Sequence, residues 1–326
     1  TILMSDTYVA PNPENDVWDV AIIGSGPSAL TAAIYTTRGA ASTLLLAGDT
    51  WGGQLMLTTT VDNFPGFPDG IDGPALMENM KKQALRFGTN WKDQKLVSLE
   101  KSSDVFILKT DNEEFKSRCV IVATGADTKW LGVAGEERLR GRGVSSCAPC
   151  DAPFFKEKKV AVIGGGDSAM EEALVIAKYA SEVFVIHRRD GFKASAAMQE
   201  KVLNHPKIKV IWNTKVIEMV GEEKLTAVKL QTEGEGEKLF DLDGVFVAIG
   251  HSPSTKNFSG VLDMDELGYL LRSPKDGFEM STNLAGVFTA GDVHDRHYRQ
   301  AITASGFGAM SALDSLKFLD KDIPTW

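Results

Sequence analysis

The chain predicts an α/β fold made of two similar βαβ halves, the second inserted into the first. Three observations carry that reading. A glycine loop, Gly24-Ser25-Gly26-Pro27-Ser28-Ala29, follows the apolar run Val20-Ala21-Ile22-Ile23. A second, Gly164-Gly165-Gly166-Asp167-Ser168-Ala169, follows Val160-Ala161-Val162-Ile163. Each opens a helix-like stretch, the setting in which glycines form a tight turn and admit a pyrophosphate to a helix N-terminus. Third, the small-residue strand exits Ile121-Val122-Ala123-Thr124-Gly125-Ala126 and Val245-Phe246-Val247-Ala248-Ile249-Gly250 bracket the second half, so the chain leaves one unit, builds another and returns. The fold class is therefore α/β with two Rossmann-like dinucleotide-binding domains, one inserted into the other.

The elements follow in order. Residues 1–16 are polar and proline-bearing and read as a loose lead-in. Strand, glycine loop and helix fill 20–38, and Thr43-Leu44-Leu45-Leu46 makes the second strand. A turn-rich loop, Ala47-Gly48-Asp49-Thr50-Trp51-Gly52-Gly53-Gln54, comes next. Helical periodicity covers 74–87 after the start signal Asp72-Gly73, and short alternating strands run through 95–111. The pattern restarts at Val160, with a helix over 168–179 and a strand over 183–186. The tail over 286–319 returns to complete the first domain. The expected divisions are 1–126 and 254–326 for the outer domain and 127–253 for the inserted one.

At 326 residues the chain has room for two domains of roughly 150 residues each. Its 43% hydrophobic and 24% charged residues are those of an ordinary globular protein. A net charge of -9 with no basic stripe argues against nucleic acid, and no apolar run approaches the ~20 residues of a membrane span. The N-terminal residues have no basic start and no apolar segment of the signal-peptide kind, so a cytoplasmic location without membrane attachment is expected. Three cysteines fit a reducing compartment rather than a disulfide scaffold, and they are too few for a Cys₄ metal site, so no metal is expected. Cys119, within Cys119-Val120-Ile121-Val122-Ala123, reads as a small core residue.

Charge separates the two loops. After the inserted unit's second strand comes His187-Arg188-Arg189-Asp190, with Lys193 behind it. Cations there suit a 2′-phosphate, and Arg188 can offer a planar fork to its oxygens, so this domain should bind NADPH. The first unit has no such cations, and Asp49 is its nearest acid, which fits either the unphosphorylated ribose of FAD or a simple surface aspartate. Between the loops lies Cys147-Ala148-Pro149-Cys150-Asp151. The spacing permits a small reversible disulfide ring, a helix N-terminus would give Cys147 thiolate character, and Pro149 suits a first helical turn. Asp151 is a proton donor for a departing thiolate or, equally, a stabilising acid in a first turn.

With these segments together, the chain resembles the low-molecular-weight thioredoxin reductase family. Val61-Asp62-Asn63-Phe64-Pro65-Gly66, Gly250-His251-Ser252-Pro253 and Ala290-Gly291-Asp292-Val293, followed by Tyr298-Arg299-Gln300-Ala301, extend the likeness over nearly the whole sequence. The resemblance implies FAD contacts at Gly24, Gly26, Pro27, Ser28, Ala29, Gly48, Gly53, Gln54, Asn63, Asp292, Arg299, Gln300 and Ala301. It implies NADPH contacts at Gly166, Asp167, Ser168, Ala169, His187, Arg188, Arg189 and Lys193, the last standing where relatives often have arginine. It also implies a homodimer, and an enzyme that passes hydride from NADPH to FAD and electrons on to Cys147/Cys150 and the disulfide of a thioredoxin-like protein. Cys150 would face the flavin, Cys147 would attack the partner, and rotation about 124–129 and 250–255 would alternate dithiol and nicotinamide at the flavin. The family's dithiol is usually Cys-Ala-Thr-Cys-Asp-Gly, so Pro149 and the Ala152-Pro153 pair set this loop apart and leave the identity of the partner open. Two other readings stay open: an NADPH:flavin diaphorase or ferredoxin-type reductase with a non-essential CxxC, and a non-enzymatic flavin redox sensor.

Overall fold

The structure, a computed structural model, describes residues 8–58 and 60–320; residues 1–7 of the expected lead-in and the end of the tail, 321–326, lie outside them. Among the described residues the helices are α1 (Pro27–Arg38), α2 (Gly73–Arg86), α3 (Glu136–Leu139), α4 (Ala148–Asp151), α5 (Asp167–Ile176), α6 (Ala196–Leu203) and α7 (Ala301–Leu319). The chain forms two compact units, Thr1–Asp127 with Ser252–Trp326, and Thr128–His251. In the first unit the Ser254 N–H donates to Gly125 O at 3.0 Å, and in the second the Lys129 N–H donates to Gly250 O at 3.0 Å. No helix among the described residues is long and apolar enough to cross a membrane.

The first unit is built on a seven-stranded sheet in the order Asn90–Lys92, Thr43–Leu46, Val17–Ile23, Glu114–Val122, Val105–Thr110, Leu96–Ser102, with Val287–Thr289 also pairing to Glu114–Val122. The four strands around Val17–Ile23 and the returning Val287–Thr289 pair in parallel. Every residue of Thr43–Leu46 is buried, as expected for a parallel strand covered on both faces. The last two strands are antiparallel and half exposed, with a bulge between Leu96 and Ser98. Against this sheet, α1 packs closely on α7: a Cβ on Gly308 would run into the Ser28 carbonyl, so glycine there sets the separation. Asp72 caps α2 by accepting from the Ala75 N–H at 3.2 Å, one residue earlier than the periodicity suggested. Leu76, Met77, Met80 and Ala84 supply the buried stripe of α2. The described part of the lead-in is held down, with Ala10 buried and its N–H donating to Phe87 O at 2.9 Å.

The second unit has a five-stranded, wholly parallel sheet in the order Val144–Ser145, Gly244–Ala248, Lys159–Gly164, Glu182–Ile186, Ile208–Ile211. Helix α5 ends at Ile176, three residues before the sequence reading of 179, because the chain tightens into turns and the Tyr179 carbonyl accepts from the Glu157 N–H instead. A three-stranded antiparallel sheet, Thr214–Val220, Ala227–Thr232 and Gly236–Asp241, and helix α6 occupy stretches that the sequence reading left unassigned. Near the start of the unit the buried carboxylate of Glu136 accepts from the Leu131 and Gly132 N–H groups at 2.9 and 2.7 Å. Those charge-assisted bonds fold the turn that leads into α3.

Candidate functional site

The first glycine loop joins Val17–Ile23 to α1. Gly24 has φ +119°, and a Cβ there would collide with the Ala123 carbonyl at the end of the neighbouring strand. Gly26 caps α1 in extended backbone, and a Cβ on it would meet nothing within 4 Å, so the space in front of the helix is open. Pro27 begins α1, where its missing N–H costs no bond, and Ser28 and Ala29 are buried beneath it. Buried Ser25 ties this loop to the next: its hydroxyl donates to Ala47 O at 2.8 Å and accepts from the Gly52 N–H at 3.1 Å. Gly48 and Gly53 take left-handed backbone, φ +86° and +65°, and a Cβ on Gly53 would lie 3.5 Å from the Gly26 Cα. The Gln54 amide donates to Asp127 at 3.1 Å.

The returning tail supplies the rest of that site. Gly291, with φ +78°, lies against Ser28, since a Cβ on it would sit 2.7 Å from the Ser28 hydroxyl. Next to it, the Asp292 carboxyl is largely buried, and its Oδ1 has no hydrogen-bond partner among the described residues. Burial first, and the nearby Asp295 second, push its pKa up to about 7 against the opposing pull of Arg299. Asp295 itself accepts from the N–H groups of His297, Tyr298 and Arg299 at 2.9, 3.0 and 3.1 Å. This carboxylate wraps the chain into the turn that holds Arg299 at φ +49° and delivers Gln300 and Ala301 to the start of α7. Gln300 and Thr303 cap α7 reciprocally, and the Asn63 amide donates to Gln300 Oε1 at 3.2 Å. Residues from four separate stretches thus meet around the N-termini of α1 and α7.

The second loop, between Lys159–Gly164 and α5, repeats the plan with different supports. A Cβ on Gly164 would strike the Ala248 carbonyl, as one on Gly24 would strike Ala123, and Gly166 caps α5 with open space before it. A Cβ on Gly165 would collide with the His187 ring. That ring is buried, 2.9 Å from Gly164 O through Nδ1 and 3.1 Å from Gly191 O through Nε2. His187 is therefore committed to the loop itself. Asp167 accepts from the Ser195 N–H and hydroxyl at 2.9 and 2.7 Å, which holds its carboxyl below the usual range. The N–H groups of Lys193 and Ala194 donate to Gly165 O at 2.7 and 3.1 Å. Ser168 and Ala169 lie in the first turn of α5, Ala169 fully buried. Arg188, Arg189 and Lys193 are exposed, and none makes an ion pair among the described residues.

In the same unit, Cys147 and Cys150 form a disulfide with Cα atoms 5.3 Å apart. Cys147 is the N-cap of α4, Pro149 stands in its first turn, and Cys150 is exposed while Cys147 is half-buried. Burial pushes the Asp151 carboxyl up, and a hydrogen bond from Ser145 pulls the other way. The Ser145 hydroxyl also accepts from the Cys147 N–H at 3.1 Å, so one side chain touches both the cysteine and the acid. Cys119, fully buried in Glu114–Val122, has its thiol pKa driven upward by burial and is chemically quiet. Among the described residues no group of three or more His, Cys, Asp and Glu is placed to hold a metal. Nothing in the sequence analysis singles out Ser145, Ser195 or Asp295. Asp295, just after the Gly291-Asp292-Val293 turn and bonded to residues two to four positions ahead, is the one with a local signal.

The pyridine nucleotide-disulphide oxidoreductase family model matches residues 18–308. The chain is 48% identical over 309 residues to a thioredoxin reductase of Streptomyces coelicolor, covering 94% of this chain and 95% of the relative. Among solved structures, a thioredoxin reductase from Giardia duodenalis is similar with TM-score 0.87 and 38% identity, covering 93% of this chain and 98% of the other. A Streptococcus pyogenes thioredoxin reductase is similar with TM-score 0.88 and 34% identity, over 94% and 99%.

Proposed function

The chain belongs to the pyridine nucleotide-disulphide oxidoreductases and, within them, to the thioredoxin reductases; from that premise we propose that it uses NADPH and FAD to reduce the disulfide of a thioredoxin-like protein. The observation that carries the reading is the closed Cys147–Cys150 disulfide on the same compact unit as a glycine loop flanked by three exposed cations, none of them ion-paired among the described residues. Arg188, Arg189 and Lys193 fit the 2′-phosphate of NADPH, and the backbone bond from Lys193 to Gly165 keeps that segment beside the loop. The unpartnered, proton-loving Asp292 fits a ligand rich in hydroxyls and ring N–H groups, as a flavin dinucleotide is. The open space before Gly26 fits its pyrophosphate.

Bound FAD supplies a two-electron carrier between nicotinamide and disulfide. Two electrons and two protons convert Cys147–Cys150 into two thiols. The Cys147 thiolate then attacks one sulfur of the partner's disulfide and expels the other as a thiolate. Cys150 next attacks the Cys147 sulfur of the mixed disulfide, which restores the ring and releases the reduced partner. Asp151, next to Cys150 in the chain and with its carboxyl pushed up by burial, is assigned the proton transfer, and Ser145 hydrogen-bonds its carboxyl. The assignment of attack to Cys147 follows the family pattern, while exposure in the closed disulfide is greater at Cys150.

A second copy of the chain is the partner that best suits α7, which leaves Ile302, Met310 and Leu313 exposed on one face. A dithiol fed by NADPH belongs in a reducing cytoplasm. Pro149 and Pro153, both exposed beside the cysteines, stiffen the surface that meets the acceptor and bias its choice. The test is turnover with NADPH and a panel of thioredoxin-like acceptors. Cys147→Ser should abolish disulfide reduction and leave NADPH-to-quinone transfer intact. Acceptor reduction that persists in this variant would overturn the role of the dithiol.

A further inference from the structure

We propose that Lys81, held between the indoles of Trp51 and Trp91, is a positioning residue for the loop that walls the adenosine side of the first dinucleotide site. The ammonium nitrogen lies 4.2 Å from the Trp51 ring centroid and 4.1 Å from that of Trp91. The rings meet edge to face, 5.9 Å apart at 85°, and Trp91 is fixed by its N–H to Asp93 at 2.7 Å. Lys81 has no ion pair among the described residues, whereas its neighbour Lys82 pairs with Glu78. Its charge is balanced by two π faces on a half-buried side chain, where cation–π attraction is stronger than at an exposed site.

The three residues come from three elements: Lys81 from α2, Trp91 from Asn90–Lys92, and Trp51 from the turn-rich loop after Thr43–Leu46. In a dinucleotide-binding βαβ unit, the segment after the second strand is the one that meets the adenosine ribose. Backbone bonds from Ala47 to Lys92 and from Gly48 to Gln94, 2.9 and 3.0 Å, secure the start of the loop. The Gly52 N–H to Ser25 bond secures its far end. Between them, Asp49 has only an exposed partner, Lys95 at 3.7 Å, which contributes little. Lys81, by gripping Trp51, holds the middle of the loop in the shape the nucleotide needs.

The inference rests on the FAD reading, and the experiment keeps the two apart. Wild-type apoprotein is titrated with FAD by flavin fluorescence, alongside Lys81→Met, which keeps the stem and loses the charge, and Lys81→Arg, which keeps the charge. The Met variant should bind FAD about tenfold more weakly and the Arg variant within about twofold of wild type. Tryptophan emission of the apoprotein should change in the Met variant and return in the Arg variant. Trp51→Phe, a weaker π face, should weaken FAD binding by about threefold and carries the test if Lys81→Met does not fold. Wild-type affinity in the Met and Phe variants, unchanged emission, or an Arg variant as weak as the Met one overturns the proposal. Failure of the wild-type protein to bind any flavin overturns the cofactor reading instead.

Discussion

The two glycine loops share a plan and differ in what occupies their middle. In both, the first glycine sits against the carbonyl that ends the next strand, Ala123 or Ala248, and the third opens onto free space at a helix N-cap. At the middle position the first loop has Ser25, whose hydroxyl binds Ala47 and Gly52. The second has Gly165, and the room is filled by the His187 ring, bound to Gly164 and Gly191. A buried serine in one unit and a buried histidine in the other perform the same task of joining the glycine loop to the loop after the second strand. Their surroundings then diverge. The tail brings Gly291, with Asp292 beside it, against Ser28 of the first loop, whereas the second is left with exposed Arg188, Arg189 and Lys193. The walled site suits a ligand retained through many turnovers, and the open one suits a ligand that must leave each time.

The largest expected effect separates the first position of the shared plan, tested at Gly24, from the third, tested at Gly166. Gly24→Ala forces a side chain into φ +119° and into the Ala123 carbonyl, and should cost about 2–4 kcal/mol of stability with loss of retained flavin. Gly166→Ala, with nothing within 4 Å, should change stability by under about 0.5 kcal/mol while raising the KM for NADPH. Chemical denaturation and flavin content of both variants decide this, and equal destabilisation would remove the contrast between the crowded first position and the open third one. Next in size, Arg188→Ala should lower the NADPH/NADH ratio of kcat/KM by roughly 10- to 100-fold, the loss of about 1.5–3 kcal/mol of charge-assisted bonding. An unchanged ratio would mean that the exposed cations are merely solvated.

The smallest effect sharpens the contrast in burial. Asp292 has a folded pKa raised to about 7 from 3.8, so between those values the folded protein holds more protons than the unfolded chain. Stability conferred by the protonated acid is present below about pH 4 and is lost as pH rises through about 7. His294 opposes this: its pKa is lowered to about 4 from 6.5, first by burial and then by Arg272, so its contribution grows as pH rises over that interval. In apoprotein melts from pH 4 to 7, Asp292→Asn should gain on wild type by a few degrees as pH increases. Parallel curves would show that the carboxyl is already satisfied in solution.

The catalytic pair, both glycine loops and the cationic turn were legible because each is a short run of residue types whose chemistry depends on local spacing. CxxC closes its own ring, and a glycine loop between an apolar run and a helix needs no distant partner to be recognised. The inserted order could also be read, from repeated strand exits that end in small residues. The three-stranded sheet over 214–241 was not, because its strands are mixed in polarity and are defined by pairing with one another. Ser145 looked like any loop serine until folding set it against both Asp151 and Cys147.

By itself, then, the sequence determined the α/β class, the doubling of the nucleotide-binding plan and the redox pair, all of which are written in contiguous residues. Only the tertiary structure decided that His187 supports its loop, that Asp292 Oδ1 is buried with no hydrogen-bond partner among the described residues, and that Lys81 is gripped by two indoles. The physical reason is that each of these depends on a void, a desolvated atom or a ring face assembled from segments far apart in the chain. Such features have no counterpart in local spacing, since they exist only once close packing has removed water and fixed which surfaces meet.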